Sequence, residues 1–459
     1  MTLERRAAAD LERPIESLQD LVDYFRAGEK PRARWRVGIE HEKLALRSGS
    51  WDPVPYDGAR GIEALLARIA GEPGWSALSE DGHLMGLDGD GIGVSLEPGA
   101  QVELNGRPVE NLLDTRREIE AHLALLRRLA EPLGITLFGL GAHPFHPVKE
   151  LPQVPRERYR IMRRYLPARG ELALDMMHAT ASVQASFDYA DESDMIAKMR
   201  TALAVTPIAA ALFANASIAL GRPSGFVSRR LHIWHHTDPD RSGMLPFAFD
   251  PDFGYARYAE WALDVPMFFI VRDGGYLPLE GKTFRRFWRE GHDGERATLA
   301  DFERHLTTLF PEVRLKRLLE MRCADSVPAD LLCAVPALWK GILYDGDALA
   351  AAHALAAGWS PAEREAVHAD VARRGLAAEV PRGPQGERSA PLLPLARELV
   401  AIARAGLRRQ AALGSDESGL LDPVEALLER GKSPGQVVLE RWQGDWAGNP
   451  DRLIEYARY

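Results

Sequence analysis

Glu40 and Glu42 stand two residues apart in Val37-Gly38-Ile39-Glu40-His41-Glu42-Lys43. On a strand, side chains alternate between faces, so both carboxylates share one face with Cα atoms roughly 6.5–7 Å apart. Three more acids lie in similarly patterned stretches: Glu97 and Glu103 within residues 95–104, and Glu320 in Leu319-Glu320-Met321-Arg322. Several acids on strand faces repel one another unless hard cations lie between them. Mg²⁺ takes oxygen ligands and commonly shares them with phosphates. The set therefore points to nucleotide chemistry, in a sequence with no Walker loop, dinucleotide fingerprint or Gly-x-Ser-x-Gly elbow. The competing reading of an isolated Glu-x-Glu is a solvated strand face.

A second set lies in residues 313–322. Read as a strand, it puts Arg314, Lys316, Glu320 and Arg322 on one face, with Leu318 between them. Read as a helix, the same residues form a scattered charged surface. The strand reading suits a triphosphate with its metal. Glu320 would ligate the ion, and Arg322 would neutralise charge developing on a transferring phosphoryl group. Arginines also cluster at 156–164, including Arg158, and in Ser228-Arg229-Arg230-Leu231-His232-Ile233-Trp234. Their planar forks match carboxylates. His232, His235 and His236 lack an acid or cysteine at zinc-site spacing. Cys333 sits in an apolar run and reads as buried and inert. Asp88-Gly89-Asp90-Gly91 reads as a hairpin turn, because the closing Glu of a calcium loop is missing.

These residues must be held by a sizeable fold. The chain has 459 residues, 46% of them hydrophobic, enough for two or three domains or one large elaborated domain. A net charge of −9 and the lack of a long basic run argue against nucleic acid or a membrane surface as partner. Two cysteines and a start without an apolar core or transit-peptide character predict a cytoplasmic protein. Residues 202–220 carry no charge and contain Pro207 and Asn215; a buried helix is favoured over a membrane span. The patterns predict helices from Ser17 to Gly28, over 114–133 with a stop at Gly134, and over 392–413. They predict strands at 135–140 and 265–271. A further strand within 176–189 would carry Thr180, Ser182 and Gln184 on one face. Residues 380–391 read as an exposed linker or long loop. Recurring hairpins among helices favour a mixed α+β fold.

Taken together, the chain resembles the plant and proteobacterial type of glutamate–cysteine ligase. The resemblance runs from about Gly38 to Leu343. Its most specific stretches are Gly38-Ile39-Glu40-His41-Glu42-Lys43, Ser95-Leu96-Glu97-Pro98-Gly99, Ala262-Leu263-Asp264-Val265-Pro266-Met267 and Phe310-Pro311-Glu312-Val313-Arg314. It implies a glutamine-synthetase-like curved antiparallel sheet forming a cup, with helices packed outside. Residues 37–46, 95–104, 177–187 and 313–321 would be neighbouring strands. It further implies one elaborated catalytic domain over 1–459, with a core at 30–345 and a mainly helical region at 346–459.

The implied reaction joins the γ-carboxylate of L-glutamate to the amine of L-cysteine through γ-glutamyl phosphate, with ATP becoming ADP. This is the first step towards glutathione. Glu40, Glu42, Glu97, Glu103 and Glu320 would share two or three Mg²⁺ ions. Lys43, Gln184, Arg314 and Lys316 would meet ATP, and Arg322 would act with Glu320 at the phosphoryl group. Arg158, Arg230, Thr180 and Phe268 would form the amino-acid pocket, with Arg230 on the glutamate α-carboxylate. The working assembly is a monomer or homodimer. Phe268 stands where many plant relatives have Tyr, which leaves the acceptor less defined. Cys333 occupies one position of the plant disulfide switch without its distant partner, so no plant-like switch is expected. The competing functions are a γ-glutamyl ligase for another amine or thiol pathway, a catalytically silent homologue and a metal-dependent phosphohydrolase.

Overall fold

The computed structural model of the chain describes residues 11–279, 281–381 and 389–459. Its central sheet contains β1 (Val37–Arg47), β2 (Ser76–Glu80), β3 (His83–Asp88), β4 (Gly93–Leu96), β5 (Val102–Asn105), β6 (Ile135–Phe138), β7 (Ser182–Phe187), β8 (Val313–Leu315) and β9 (Leu319–Asp325). The order is β8-β9-β7-β1-β5-β4-β3-β2, with β6 paired to the second half of β1. Every pairing in this sheet is antiparallel. With helices covering it, the expected α+β class is the observed one.

Strand alternation sorts the side chains into two chemistries. On β7, Val183, Ala185 and Phe187 face the largest apolar core, while Ser182, Gln184 and Ser186 alternate with them. On β1, Val37 and Ile39 join that core, and Glu40 and Glu42 take the other face. The apolar side is covered by α5 (Glu192–Leu212), α7 (Ala334–Leu343) and α10 (Leu393–Gln410), which pack on the sheet or on one another. Helix α5 is long and apolar enough to cross a membrane by length and composition, yet 83% of its apolar window is buried inside the protein. From Ala202 to Leu212 it is enclosed on all sides, the pattern of a core helix. Helices α8 (Gly346–Ala356) and α9 (Pro361–Arg374) pack on it.

Elsewhere local chemistry sets the boundaries. Helix α1 (Leu18–Arg26) begins with the Ser17 capping box. Helix α2 (Leu112–Ala130) starts where the Asn111 side chain accepts the Leu113 N–H at 2.8 Å. It tightens into a 3₁₀ turn and stops at Gly134, whose φ of +63° suits a residue without Cβ. The strands expected at 135–140 and 265–271 shorten to Ile135–Phe138 and Phe269–Arg272. Of the expected linker, residues 382–388 lie outside the described residues; its flanks, Glu379–Val380 and Ala390–Pro391, pair antiparallel.

Three of the implied strands differ in form. Residues 95–104 are the ends of two strands, β4 and β5, joined by a turn at Glu97–Ala100. Residues 177–187 begin as the end of helix α4 (Ala173–Ala179) and become a strand only at Ser182. The Thr180 hydroxyl donates to the Met176 carbonyl at 2.7 Å and so belongs to the helix end. Residues 313–321 are a hairpin rather than one strand. The chain turns over between Leu315 and Leu319, which sets Arg314 directly opposite Glu320. Folding back brings opposite charges together that a straight strand would have spread along its length.

Phe187 is fully buried between the sheet and Tyr344, with ring centroids 5.5 Å apart. Phe187→Ala is expected to cost about 3–5 kcal/mol, read as a lower urea midpoint with an unchanged slope.

Candidate active site

The polar face of the sheet is assembled by register. Glu42 lies opposite Glu103, Glu40 opposite Gln184, and Glu320 opposite Ser186 on one side and Arg314 on the other. Between Met321 and Ala324 the β9–β7 register shifts by a bulge. One extra residue resets the alternation, so Arg322 and Asp325, three apart, both interact with groups on the polar side. Three helices supply the remaining walls: α3 (Glu157–Tyr165) with Arg158, α4 with Met176 and Met177, and α6 (Arg229–His235) with Arg230 and Trp234. Together they line a cleft of about 130 Å³.

The side chains form a continuous chain of contacts. Glu320 is fully buried and is met by Arg314 at 2.5 Å, Arg322 at 3.1 Å and Lys316 at 3.2 Å. Arg322 Nη1 also donates to Gln184 Oε1. Gln184 Nε2 in turn donates to Glu42 at 3.3 Å and to the Ser182 hydroxyl at 3.1 Å. The other oxygen of Glu42 accepts the Ser182 N–H at 2.6 Å. Glu103 accepts from the Ser95 hydroxyl, which is itself held by Asn105 at 2.8 Å. Glu97 is fixed by its turn. Gly99 N donates to Gln101 Oε1 at 2.8 Å, and Gln101 Nε2 donates to the Thr180 carbonyl at 2.8 Å. A Cβ on Gly99 would lie 2.2 Å from the His178 carbonyl oxygen, so the close approach needs glycine.

Charge is distributed unevenly over this surface. Burial, then the neighbouring Glu320 and Glu103, pushes Glu40 up to about 7. Burial and then Glu42 push Glu97 up to about 7. Burial, then Glu97 and Glu42, pushes Glu103 up to about 8. Burial also raises Glu42, against the pull of Arg230, the Ser182 N–H and Arg322. Glu320 is the opposite case. Burial acts upward on it, but Arg314, Lys316 and Arg322 together hold its carboxyl well below the usual range.

The structure brings most of the anticipated residues to this one cleft. Glu40, Glu42, Glu97, Glu103, Arg158, Thr180, Gln184, Arg230, Arg314 and Arg322 all line it, and Glu320 lies directly behind the arginines. Three residues are placed elsewhere. Lys43 alternates to the opposite face of β1, where it is fully buried and donates to the His41 carbonyl at 2.7 Å; it is not positioned to meet a nucleotide in the cleft. Lys316 pairs with Glu320 instead of lining the cleft. Phe268 lies in the core under the Arg241 guanidinium, 4.0 Å from its ring centroid, and does not touch the cleft. Its position beside a conspicuous Pro-Met pair gave no sign of this, because short apolar strands bury either face.

Sequence reasoning passed over Trp234 and Gln101. Trp234 Nε1 is buried without a hydrogen-bond partner, and the Arg230 and Arg322 guanidinium groups sit 5.9 and 6.0 Å from its ring. The available signal was its spacing of four from Arg230, which places both on one helix face. Arg158 Nε and Arg314 Nε are likewise buried without partners at the cleft. The cysteines are remote from this chemistry. Both are buried free thiols, and burial pushes Cys333 up to about 12 and Cys323 higher.

The fold is shared with a solved glutamate–cysteine ligase from Francisella tularensis in complex with AMP. The TM-score is 0.54 at 12% identity, over 92% of this chain and 88% of that one. Sequence comparison goes further. The model of Glutamate-cysteine ligase family 2 (GCS2) matches residues 36–456, and this chain belongs to that family. It is 43% identical to the chloroplastic glutamate–cysteine ligase of Medicago truncatula over 96% of this chain and 85% of that protein. It is 42% identical to that of Arabidopsis thaliana over 96% of this chain and 83% of that protein. These relatives correct one expectation. A cytoplasmic location does not stand, because proteins matching nearly the whole chain are named chloroplastic.

The raised carboxylates have a consequence for stability. Glu40, Glu97 and Glu103 titrate higher in the folded chain than the ordinary value of 4.5. The folded state therefore holds extra protons above that value. Their contribution is fully present below it and lost as pH rises through about 7 to 8. The melting temperature of the ligand-free protein is expected to fall across that window, and Glu103→Gln to flatten the fall, in thermal scans at stepped pH. Glu320→Gln is expected to destabilise by about 3–5 kcal/mol, because it strands three buried or half-buried cations; chemical denaturation measures it.

Proposed function

We propose that this protein ligates the γ-carboxylate of L-glutamate to the amine of L-cysteine at the expense of ATP, giving γ-glutamylcysteine, the first step of glutathione biosynthesis. The observation that carries this reading is one cleft in which four carboxylates face four guanidinium groups, in a member of a glutamate–cysteine ligase family. A carboxylate is a poor acyl donor because oxide would have to leave. Transfer of the γ-phosphoryl group of ATP to the glutamate γ-carboxylate replaces it with phosphate as leaving group. The cysteine amine then attacks the acyl carbon, the C–O bond to phosphate breaks, and the amine proton is lost.

Positioning and charge neutralisation dominate such a transfer. Arg230 and Arg158 hold the glutamate, with Arg230 on its α-carboxylate. Arg314 and Arg322, each with buried donors at the cleft, meet the phosphates. Glu320 acts beneath them by fixing their forks, rather than as a free base. Trp234 offers its indole N–H between the two groups of arginines.

The donor set fits Mg²⁺. Glu40, Glu42, Glu97 and Glu103 present hard oxygens on one wall; burial raises the protonation of all four, and neighbouring carboxylates add to it at Glu40, Glu97 and Glu103. Among the described residues no three such side chains already converge on one point. Mg²⁺ commonly keeps several waters and takes phosphate oxygens instead of an all-protein cage. When bound, Mg²⁺ would neutralise phosphate charge during transfer. We read the whole chain as one catalytic unit, since α8 and α9 pack on the core helix α5 and the Tyr459 hydroxyl reaches His41, behind Glu40 and Glu42, at 2.9 Å.

ADP formation is expected to require glutamate, cysteine and Mg²⁺ together, with γ-glutamylcysteine identified by mass. ADP release that ignores glutamate would point to a phosphohydrolase, and a preference for another amine to a different ligase. Arg230→Ala is expected to raise the glutamate KM at least about tenfold, the scale of a lost charged hydrogen bond, with little change for ATP. Chelation is expected to abolish turnover, and added Mg²⁺ to raise the melting temperature more at high pH than at low pH, where the carboxylates hold protons.

A further inference from the structure

We propose that Asp325 is a positioning residue that sets the Arg230 guanidinium for glutamate; this rests on the reading of Arg230 given above. Asp325 is buried to 1% exposure and does not line the cleft. Its Oδ2 accepts the Asn215 N–H at 2.7 Å, and its Oδ1 accepts the Ser228 hydroxyl at 3.0 Å. Arg230 Nη1 lies 3.6 Å from the same Oδ1. Arg230 Nη2 donates to the Arg322 carbonyl at 2.9 Å. Strand β9 thus grips one arginine twice, once through a side chain and once through its backbone. A guanidinium carries five N–H donors in a rigid plane. Fixing two of its nitrogens orients the plane and leaves donors for a ligand carboxylate.

The same carboxylate controls the helix that carries Arg230. Ser228 is the N-cap of α6 and accepts the Leu231 N–H at 3.2 Å while donating to Asp325. The start of the helix and its first-turn arginine are therefore referred to one anionic point on the sheet. Two features make room for it. The bulge between Met321 and Ala324 turns Asp325 to the side of Arg322. Gly141 lies so close that an added Cβ would come within 2.4 Å of Asp325 Cγ. Asn215, whose amide donates to the Gly139 and Ser326 carbonyls at 3.1 and 2.9 Å, anchors the other carboxylate oxygen.

The test is steady-state kinetics of Asp325→Asn, which keeps the shape and removes the charge. The glutamate KM is expected to rise about tenfold, with kcat and the ATP KM within about twofold of the parent enzyme. In an Arg230→Ala background the same substitution is expected to add nothing further, because it acts through that arginine. Circular dichroism and the melting temperature establish that the variant is folded. Ser228→Ala provides a second route if it is not, with a several-fold rise in glutamate KM alone. A folded variant with unchanged glutamate KM, equal rises for glutamate and ATP, or an additive effect without Arg230 would overturn the assignment. Parent enzyme that releases ADP without needing glutamate would instead refute the ligase reading itself.

Discussion

Glu42 and Glu103 face each other across paired antiparallel strands, with Glu97 and Glu40 nearby; Glu103 is buried and the other three are partly buried at the cleft. Like charges at directly opposed positions destabilise a sheet, and burial adds the cost of desolvation. A fold that tolerates this arrangement must recover the free energy elsewhere, and the large apolar face on the other side of the same strands does so. The protonation states of these acids follow: without cations, burial and mutual repulsion hold Glu40, Glu97 and Glu103 far above an ordinary carboxylate. The surface is complementary to positive charge before any ligand arrives.

At the other end of the sheet the balance reverses. Glu320 has three cationic neighbours and stays ionised in spite of complete burial. Arg322 and Gln184 link that anchored end to Glu42 through hydrogen bonds. A cleft with an anionic end and a cationic end has opposite charges ready for the cationic and anionic groups of the reaction proposed above. Preorganised charge of this sort does not have to be rearranged while the reaction proceeds.

The surrounding architecture serves to hold those side chains still. The hairpin of β8 and β9 brings Arg314 onto Glu320, the bulge in β9 redirects Asp325, and the Glu97–Ala100 turn is locked by Gln101 onto the end of α4. On the reverse of β1, His41 and Lys43 interrupt an otherwise apolar face. Tyr459 closes over His41 with its hydroxyl at 2.9 Å and donates to the Val327 carbonyl at 2.6 Å. The last residue of the described chain thereby packs behind the strand that carries Glu40 and Glu42.

Much of the site was legible in one dimension because alternation is a local property. Glu40 and Glu42 had to share a face once residues 37–47 formed a strand, and Glu103 and Glu320 obey the same rule on β5 and β9, whereas Glu97 reaches the cleft from a turn. The buried character of α5 and the start and stop of α2 also followed from local residue types. Motifs such as Gly38-Ile39-Glu40-His41-Glu42-Lys43, through their resemblance to a ligase family, carried the functional expectation further than spacing did. Other features depended on contacts between distant segments. Whether 313–321 ran straight or folded back was decided by pairing with β7 and by the attraction between Arg314 and Glu320. Lys43 had the right charge beside the right motif, yet its odd step along β1 turned it to the other face. Phe268 was drawn under Arg241 by packing that no local pattern encodes. The reach of Asp325 to Ser228 and Arg230 arose from a one-residue bulge, which shifts alternation without leaving a mark on composition. Local chemistry determined which residues were able to share a face; long-range pairing, where charges and volumes compete, decided which of them met.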